Sequence, residues 1–150
     1  METTVNKNTS TLLQLSAFAQ YFFPLGSFIF PTLIWSIKKN ESEFVDYNGK
    51  QAINFQLSLL VYSLVLLIIA LPIFIYTLFN DLEFRLVNNG DWIVEQFTMG
   101  RITGLVLIGV IASFILLLMK VAEFILILYA AVKNSNGQRY NFPLTIKFIK

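Results

Sequence analysis

The sequence has 150 residues, of which 56% are hydrophobic and 13% are charged, and its formal net charge is +2. Soluble domains average about a quarter charged residues, so the apolar excess is best explained as surface that faces lipid. A net charge this small does not favour nucleic acid as a partner. We therefore predict an all-α integral membrane protein, a three-span helical bundle that forms a single membrane domain over residues 1–150.

The sequence contains neither cysteine nor histidine. These residues are the commonest zinc ligands, and histidine is the usual general base near neutral pH. Their absence makes zinc chemistry and hydrolase triads improbable. The composition therefore predicts a non-enzymatic protein with no catalytic residues, no metal site and no cofactor.

The first apolar segment spans residues 12–37 and contains Pro24, Gly26 and Pro31. A continuous helix of this length would extend about 39 Å, enough to cross a hydrocarbon core of roughly 30 Å. Because proline removes an intrahelical hydrogen bond, we expect the helix to break at these three residues. Two arrangements fit the pattern: one broken span, or a re-entrant pair of half-helices that meet near Pro24.

A short charged loop is predicted over residues 38–51, with Asn48 and Gly49 as its turn. Residues 52–79 follow as the clearest span, because this stretch contains no charged residue. The pattern therefore predicts that the second membrane helix begins near residue 52.

Residues 80–101 mix acidic with large apolar side chains, which predicts short interfacial helices on the opposite side of the membrane. The last span is predicted over residues 102–132 and contains Lys120 and Glu123. A basic tail follows over residues 133–150.

Lysine and arginine concentrate in loop 38–51 and in tail 133–150, which lie on the same side under three spans. The positive-inside rule places this side in the cytoplasm and loop 80–101 outside it. We therefore predict a multi-pass protein of the bacterial inner membrane. The side on which the N-terminus lies stays open, because it depends on the arrangement of residues 12–37.

Several stretches of this sequence carry a family resemblance. They are FPTLIW at residues 30–35, KKNESEFVD at 38–46, NGK at 48–50, AINFQLS at 52–58, NGQRY at 136–140 and PLTIKFIK at 143–150. The chain resembles a bacterial membrane-protein family of unknown function, distantly similar to the Tic-twenty-type subunit of the chloroplast inner-envelope import machinery. The resemblance covers residues 12–150. It implies a helical membrane protein associated with protein translocation and no catalytic residues.

Two charged residues in the last predicted span are candidates for function. Lys120 and Glu123 are three residues apart and share a helix face. A charge at the bilayer centre costs about 2.5–3.5 kcal/mol on insertion scales. The pair therefore serves either as a neutralised packing element, or as an ion or proton relay, or as a polar lining for a translocated segment.

A polar stripe on the preceding span consists of Gln51, Asn54, Ser58 and Tyr62, whose spacing places them on one helix face. Asn54, Ser58 and Tyr62 are predicted to form an intramembrane polar cluster together with Lys120 and Glu123. Such a cluster either joins helices by hydrogen bonds or lines a hydrophilic groove.

Two functions follow from these patterns. The first is a non-enzymatic membrane subunit or accessory factor of a larger complex, in protein translocation or membrane biogenesis. The alternative is a small oligomeric transporter or channel that uses Lys120 and Glu123. The predicted partners are the lipid bilayer and either other membrane proteins or further copies of the chain. The small-xxx-small pair Gly100 and Gly104 weakly favours close helix packing.

Overall fold

The computed structural model describes residues 2–81 and 103–150, together with the side chains of residues 2–75 and 107–150. These residues contain four α-helices, one 3₁₀ helix and no strand. The elements are α1 (Thr4–Ser16), the 3₁₀ helix (Ala17–Tyr21), α2 (Gly26–Lys38), α3 (Glu43–Asp81) and α4 (Thr103–Ser135). The all-α prediction is confirmed for this part of the chain.

Two of the described helices, α3 and α4, are long and apolar enough to cross a membrane over Glu43–Ile75 and Leu107–Ser135. Only 6% and 11% of their most apolar windows are buried inside the protein. The core helix of a soluble protein would instead be mostly buried, so the exposed apolar side chains of α3 and α4 suit contact with lipid. The described residues hold two such helices, and the three-span count is not confirmed.

Residues 12–37 do not form a continuous helix. Helix α2 has 13 residues, which is about 20 Å of helix and less than a hydrocarbon core of roughly 30 Å. Helix α1 also has 13 residues, and the 3₁₀ helix continues it by about 10 Å. The chain reverses at residues 22–25, where Leu25 has a left-handed φ of 58°. Gly26 then lies against the backbone of Ala19, where any Cβ would clash. Residues 4–38 therefore form a helical hairpin, and its re-entrant position in a membrane stays a prediction.

Only part of the predicted helix break is found. Pro24 and Gly26 flank the reversal, as expected, whereas Pro31 lies inside α2 and does not break it. The hydrogen bond that Pro31 removes would end at Ser27 in the first helical turn, and the rest of the helix keeps its own bonds. Pro72 is likewise accommodated within α3.

Helix α3 begins at Glu43 rather than near residue 52. Asn48 and Gly49, the predicted turn, lie inside this helix. Gly49 contacts the indole ring of Trp35 so closely that a Cβ would overlap it. Asn48 donates a hydrogen bond from Nδ2 to the carbonyl of Phe44, one helical turn earlier. The turn prediction was wrong because these residues serve the contact between α2 and α3.

The chain divides into two compact units. The first unit consists of Met1–Val61 and Lys120–Lys150, and the second unit consists of Tyr62–Met119. Loop 80–101 lies outside the described residues apart from its first two positions, as does Gly100. The interfacial helices and the single membrane domain stay predictions.

The apolar core of the first unit lies where the tail after α4 packs back onto the helices. It consists of Ala17, Phe55, Ile127, Ala130 and Phe142. Phe142 of the tail stacks on Phe55 of α3, with 4.2 Å between ring centroids and 11° between ring planes. The basic tail is thus part of the folded unit and not only a solvated anchor.

Candidate functional site

Three amide side chains from three helices form a buried hydrogen-bonded network in the first unit. Gln14 of α1, Asn48 of α3 and Asn134 of α4 are each no more than 1% exposed. Gln14 Nε2 donates to Asn134 Oδ1 at 3.1 Å, and Asn134 Nδ2 donates to Asn48 Oδ1 at 2.9 Å. Gln14 Nε2 also reaches the Asn48 carbonyl at 3.3 Å. We call these three residues the amide network.

The amide network also fixes the beginning of the tail. Asn134 Nδ2 donates to the carbonyl of Gln138 at 3.0 Å, and the backbone N–H of Tyr140 donates to Asn48 Oδ1 at 3.1 Å. A buried amide group left without a partner costs about 1–3 kcal/mol. The network therefore favours one arrangement of α1, α3, α4 and the tail over alternatives that would leave these groups unpaired.

The predicted pair Lys120 and Glu123 forms an ion pair, with 2.8 Å between Lys120 Nζ and Glu123 Oε2. Gln20 of the 3₁₀ helix completes the arrangement. Its Nε2 donates to Glu123 Oε1 at 3.0 Å, and its Oε1 accepts from Lys120 Nζ at 2.9 Å. The Glu123 side chain is 3% exposed and that of Lys120 is 59% exposed. We call these three residues the charged cluster, and it joins the helical hairpin to α4.

Asn54 and Ser58 bind the backbone of the tail. Asn54 Oδ1 accepts from the N–H groups of Phe148 at 3.1 Å and Ile149 at 2.8 Å, while its Nδ2 donates to the Ile149 carbonyl at 2.9 Å. Ser58 Oγ accepts from the N–H of Ile146 at 2.8 Å. We call Asn54 and Ser58 the tail clamp. It provides side-chain partners on α3 for N–H groups of the tail and so holds the tail against this helix.

The five residues of the predicted polar cluster are thus found in different surroundings. Asn54 and Ser58 form the tail clamp, and Lys120 and Glu123 belong to the charged cluster. Tyr62 belongs to the second unit. Asn54 and Ser58 bond to the tail, whereas Lys120 and Glu123 bond to Gln20, so a single shared groove stays a prediction.

A further contact fixes α2 to α3. Trp35 Nε1 donates to Asp46 Oδ1 at 2.9 Å, and the Lys39 ammonium lies 4.7 Å from the centroid of the same indole ring. With Gly49 beneath the ring, the second arm of the helical hairpin is held directly on the start of α3.

Sequence reasoning did not select Gln14, Gln20, Asn48 or Asn134 for the site. A usable signal existed for the two glutamines, because an amide within an apolar membrane segment usually hydrogen-bonds to another helix. Asn48 and Asn134 gave no such signal, since asparagine beside glycine or near a helix end is typical of a turn.

The described residues contain no group of three or more His, Cys, Asp and Glu side chains arranged to hold a metal ion. Outside the helices, burial raises the pKa of the Tyr140 phenol above its ordinary value, and the nearby Tyr129 adds to this shift. Tyr140 packs edge-on against Phe142, with ring centroids 4.9 Å apart, so its role is in the core.

Comparison with known proteins gives one family. The model of the magnetosome magnetite crystal formation protein family (MamF/MmsF) matches residues 5–149. Neither the curated proteins nor the solved structures contain a match to the chain. The match overturns the resemblance to the Tic-twenty-type import subunit, and the support for protein translocation goes with it. Because the match covers nearly the whole sequence, the chain belongs to the magnetosome magnetite crystal formation protein family.

Proposed function

We propose that this chain is a non-enzymatic integral membrane protein that acts as an accessory factor in forming the membrane compartment in which magnetite crystals grow. The family match supports the compartment, and the absence of cysteine and histidine supports a role without catalysis. The observation that carries the proposal is the depth of the helical hairpin.

The helical hairpin follows α4 for only part of its length. Gln14 in the first arm bonds to Asn134, and Gln20 near the reversal bonds to Glu123. These two positions on α4 are about 16 Å apart along the helix axis, which is roughly half of a 30 Å hydrocarbon core. The hairpin reverses next to Glu123, and we infer that from this depth it occupies area in one leaflet.

The reversal of the hairpin exposes large apolar side chains. Each is at least 60% exposed: Tyr21, Phe22, Phe23 and Leu25. Exposed apolar groups next to two membrane-length helices are suited to lipid. We infer that the hairpin acts as a wedge in one leaflet, and that the amide network and the charged cluster keep the wedge rigid.

Charge distribution supports one orientation. Eight of the eleven lysine and arginine residues lie in the N-terminal arm, in residues 38–51 and in residues 133–150. These segments meet in the first unit, where Arg139 bonds to Glu43 and Lys7 packs beside Gly137. The positive-inside rule then places this end in the cytoplasm and the wedge in the cytoplasmic leaflet.

The test is complementation in a magnetite-forming bacterium that lacks its own member of the family, with crystal size measured by electron microscopy. The wild-type chain should restore crystal size, and Phe22→Ser with Phe23→Ser should restore it only in part. The matched control is Val5→Ser with Leu12→Ser. It likewise removes two exposed apolar side chains, but these lie on α1 and the reversal stays intact. It should behave as wild type.

Full crystal size without the chain would contradict the accessory role. Equal activity of the two double variants, both present in the membrane at wild-type levels, would contradict the wedge. The two outcomes are separate, because the first concerns the function and the second concerns the part of the molecule that performs it.

A second candidate function is a small oligomeric transporter or channel. The exposed side chain of Lys120 favours this function. A charged group on an apolar helix is costly in contact with lipid, so contact with a water path or with a second copy of the chain would lower its free energy. Ion flux into proteoliposomes should then fall on Lys120→Leu or Glu123→Gln. Flux that is absent, or that both variants leave unchanged, would exclude this function.

A further inference from the structure

A polar cavity of about 530 Å³ lies between the start of α3 and the tail, within the first unit. Its lining residues include Lys50, Lys147, Lys150, Glu43 and Asp46. Cavities that bind small molecules are commonly about 300–1,000 Å³. The space is therefore large enough for a charged group of the size of a phosphate ester.

The acidic side chains of this cavity are already neutralised. Asp46 Oδ2 lies 2.7 Å from Lys50 Nζ, and Glu43 Oε1 lies 2.8 Å from Arg139 Nη2. Among the side chains of residues 2–75 and 107–150, no carboxylate forms an ion pair with Lys147 or Lys150. The lining thus has three lysine side chains and two acidic side chains, and both acids are paired with Lys50 or Arg139.

Lys147 is held in place before any ligand arrives. The residues on either side of it are bound by the tail clamp, since the Ile146 N–H donates to Ser58 Oγ and the Phe148 N–H donates to Asn54 Oδ1. A fixed backbone lowers the conformational entropy lost on binding. The backbone that carries Lys147 is thus fixed beside the cavity, and its side chain starts from a defined position.

The cavity also lies where α3 changes from a charged to an uncharged sequence. Lys50 is the last charged residue before the uncharged stretch 52–79. In a membrane helix such a change marks the level of the lipid headgroups, where lysine side chains attract anionic phosphate.

We propose that this cavity binds a phosphate-bearing anion through Lys147 and Lys150, next to the Lys50–Asp46 ion pair. The headgroup phosphate of an anionic lipid and free inorganic phosphate share this chemistry. The site does not depend on the wedge or on magnetite formation, because it rests only on the cavity, its charge and the tail clamp.

The test uses the full chain purified in detergent and native mass spectrometry with three probes: short-chain phosphatidylglycerol, short-chain phosphatidylcholine and inorganic phosphate. The wild-type chain should prefer phosphatidylglycerol to phosphatidylcholine. Lys147→Gln should weaken phosphatidylglycerol binding about fivefold, and Lys147→Gln with Lys150→Gln more strongly, because each lysine near an anionic headgroup contributes roughly 1 kcal/mol.

The matched control is Lys39→Gln with Lys133→Gln, which removes two positive charges that lie over Trp35 and Tyr129 and outside the cavity. It should keep the wild-type affinity, as should Lys147→Arg, which retains the charge. Lys147→Arg also guards against a folding artefact, and circular dichroism checks the helix content of every variant.

Competition by inorganic phosphate that disappears in the cavity variants would support the site and assign it to free phosphate. A preference for phosphatidylglycerol without such competition would support the site and assign it to lipid. Equal losses in the cavity and control variants would overturn the proposal in favour of general surface charge. Equal binding of the two lipids together with no phosphate binding would overturn it as well.

Discussion

The two units are built partly from the same two helices, yet their side chains have opposite surroundings. In the first unit, Asn48 and Asn134 are completely buried and hydrogen-bonded across helices. In the second unit, the described parts of α3 and α4 mainly expose apolar side chains, such as Ile68 and Leu117. Lipid tails are as apolar as leucine, so apolar contact alone gives helices little preference for one another. Polar pairing supplies the specificity of the first unit.

The two glycines with the clearest surroundings show the same contrast. A Cβ on Gly49 in the first unit would overlap the Trp35 ring, whereas a Cβ on Gly109 in the second unit would meet nothing within 4 Å. Gly109 also lines a groove of about 450 Å³ within the second unit. Close packing is therefore a property of the first unit, and the second unit has room along its helices.

The largest expected effect comes from the amide network. Asn134→Ala removes the partner of Gln14 Nε2 and Asn48 Oδ1 in a buried site, and should lower the free energy of unfolding by about 2–3 kcal/mol. Thermal unfolding in detergent measures this change. The control Leu117→Ala truncates an exposed side chain of the same helix and should change stability by about 0.5 kcal/mol or less. If Asn134→Ala and Leu117→Ala lowered the free energy of unfolding equally, the buried hydrogen bonds of the first unit would not stabilise it more than the exposed side chains stabilise the second unit.

The next effect compares the same substitution in both units. Gly49→Ala should destabilise the protein by about 1–3 kcal/mol, because the new methyl group forces the Trp35 ring to move. Gly109→Ala should be neutral or stabilising by up to about 1 kcal/mol, since alanine favours helix and the site is open. Thermal unfolding of the two variants side by side is the measurement. A destabilising Gly109→Ala would show that the groove is closed in the membrane.

The smallest expected effect is at the charged cluster. Glu123→Leu removes the partner that Gln20 and Lys120 share, and should loosen the reversal of the helical hairpin by about 1 kcal/mol. The half-exposed Lys120 limits the loss because it can turn towards other polar groups. Hydrogen exchange of the amides of residues 17–25 should become faster.

The matched control for the charged cluster is Glu41→Leu. This substitution breaks the surface ion pair between Lys38, whose side chain is 40% exposed, and Glu41, whose side chain is 53% exposed. It should leave hydrogen exchange at residues 17–25 unchanged. If exchange there is also unchanged in Glu123→Leu, then the charged cluster does not hold the hairpin.

Much of the fold was predictable because it depends on local composition. The stretch 52–79 is uncharged and long enough for a membrane helix whatever its neighbours are, and α3 indeed continues through it. The ion pair of Lys120 and Glu123 was also predictable, because residues three apart on a helix face each other.

Predictions were wrong or missing at residues whose conformation is set by contacts with residues distant in sequence. Asn48 and Gly49 have the local pattern of a turn, yet contacts with Asn134 and Trp35 place them inside α3. The family resemblance was also wrong, because it rested on six short stretches, whereas the match to the magnetosome family extends over residues 5–149.

The sequence by itself therefore determined the class of the protein, its two membrane-length helices and the side that carries most of the positive charge. Only the tertiary structure decided that residues 12–37 belong to a hairpin, that the tail packs on α3 and that its lysines surround a cavity. Hydropathy acts on each segment separately, whereas a hydrogen bond such as that between Gln14 and Asn134 joins residues far apart in the chain. The choice between a span and a hairpin rests on those long-range bonds.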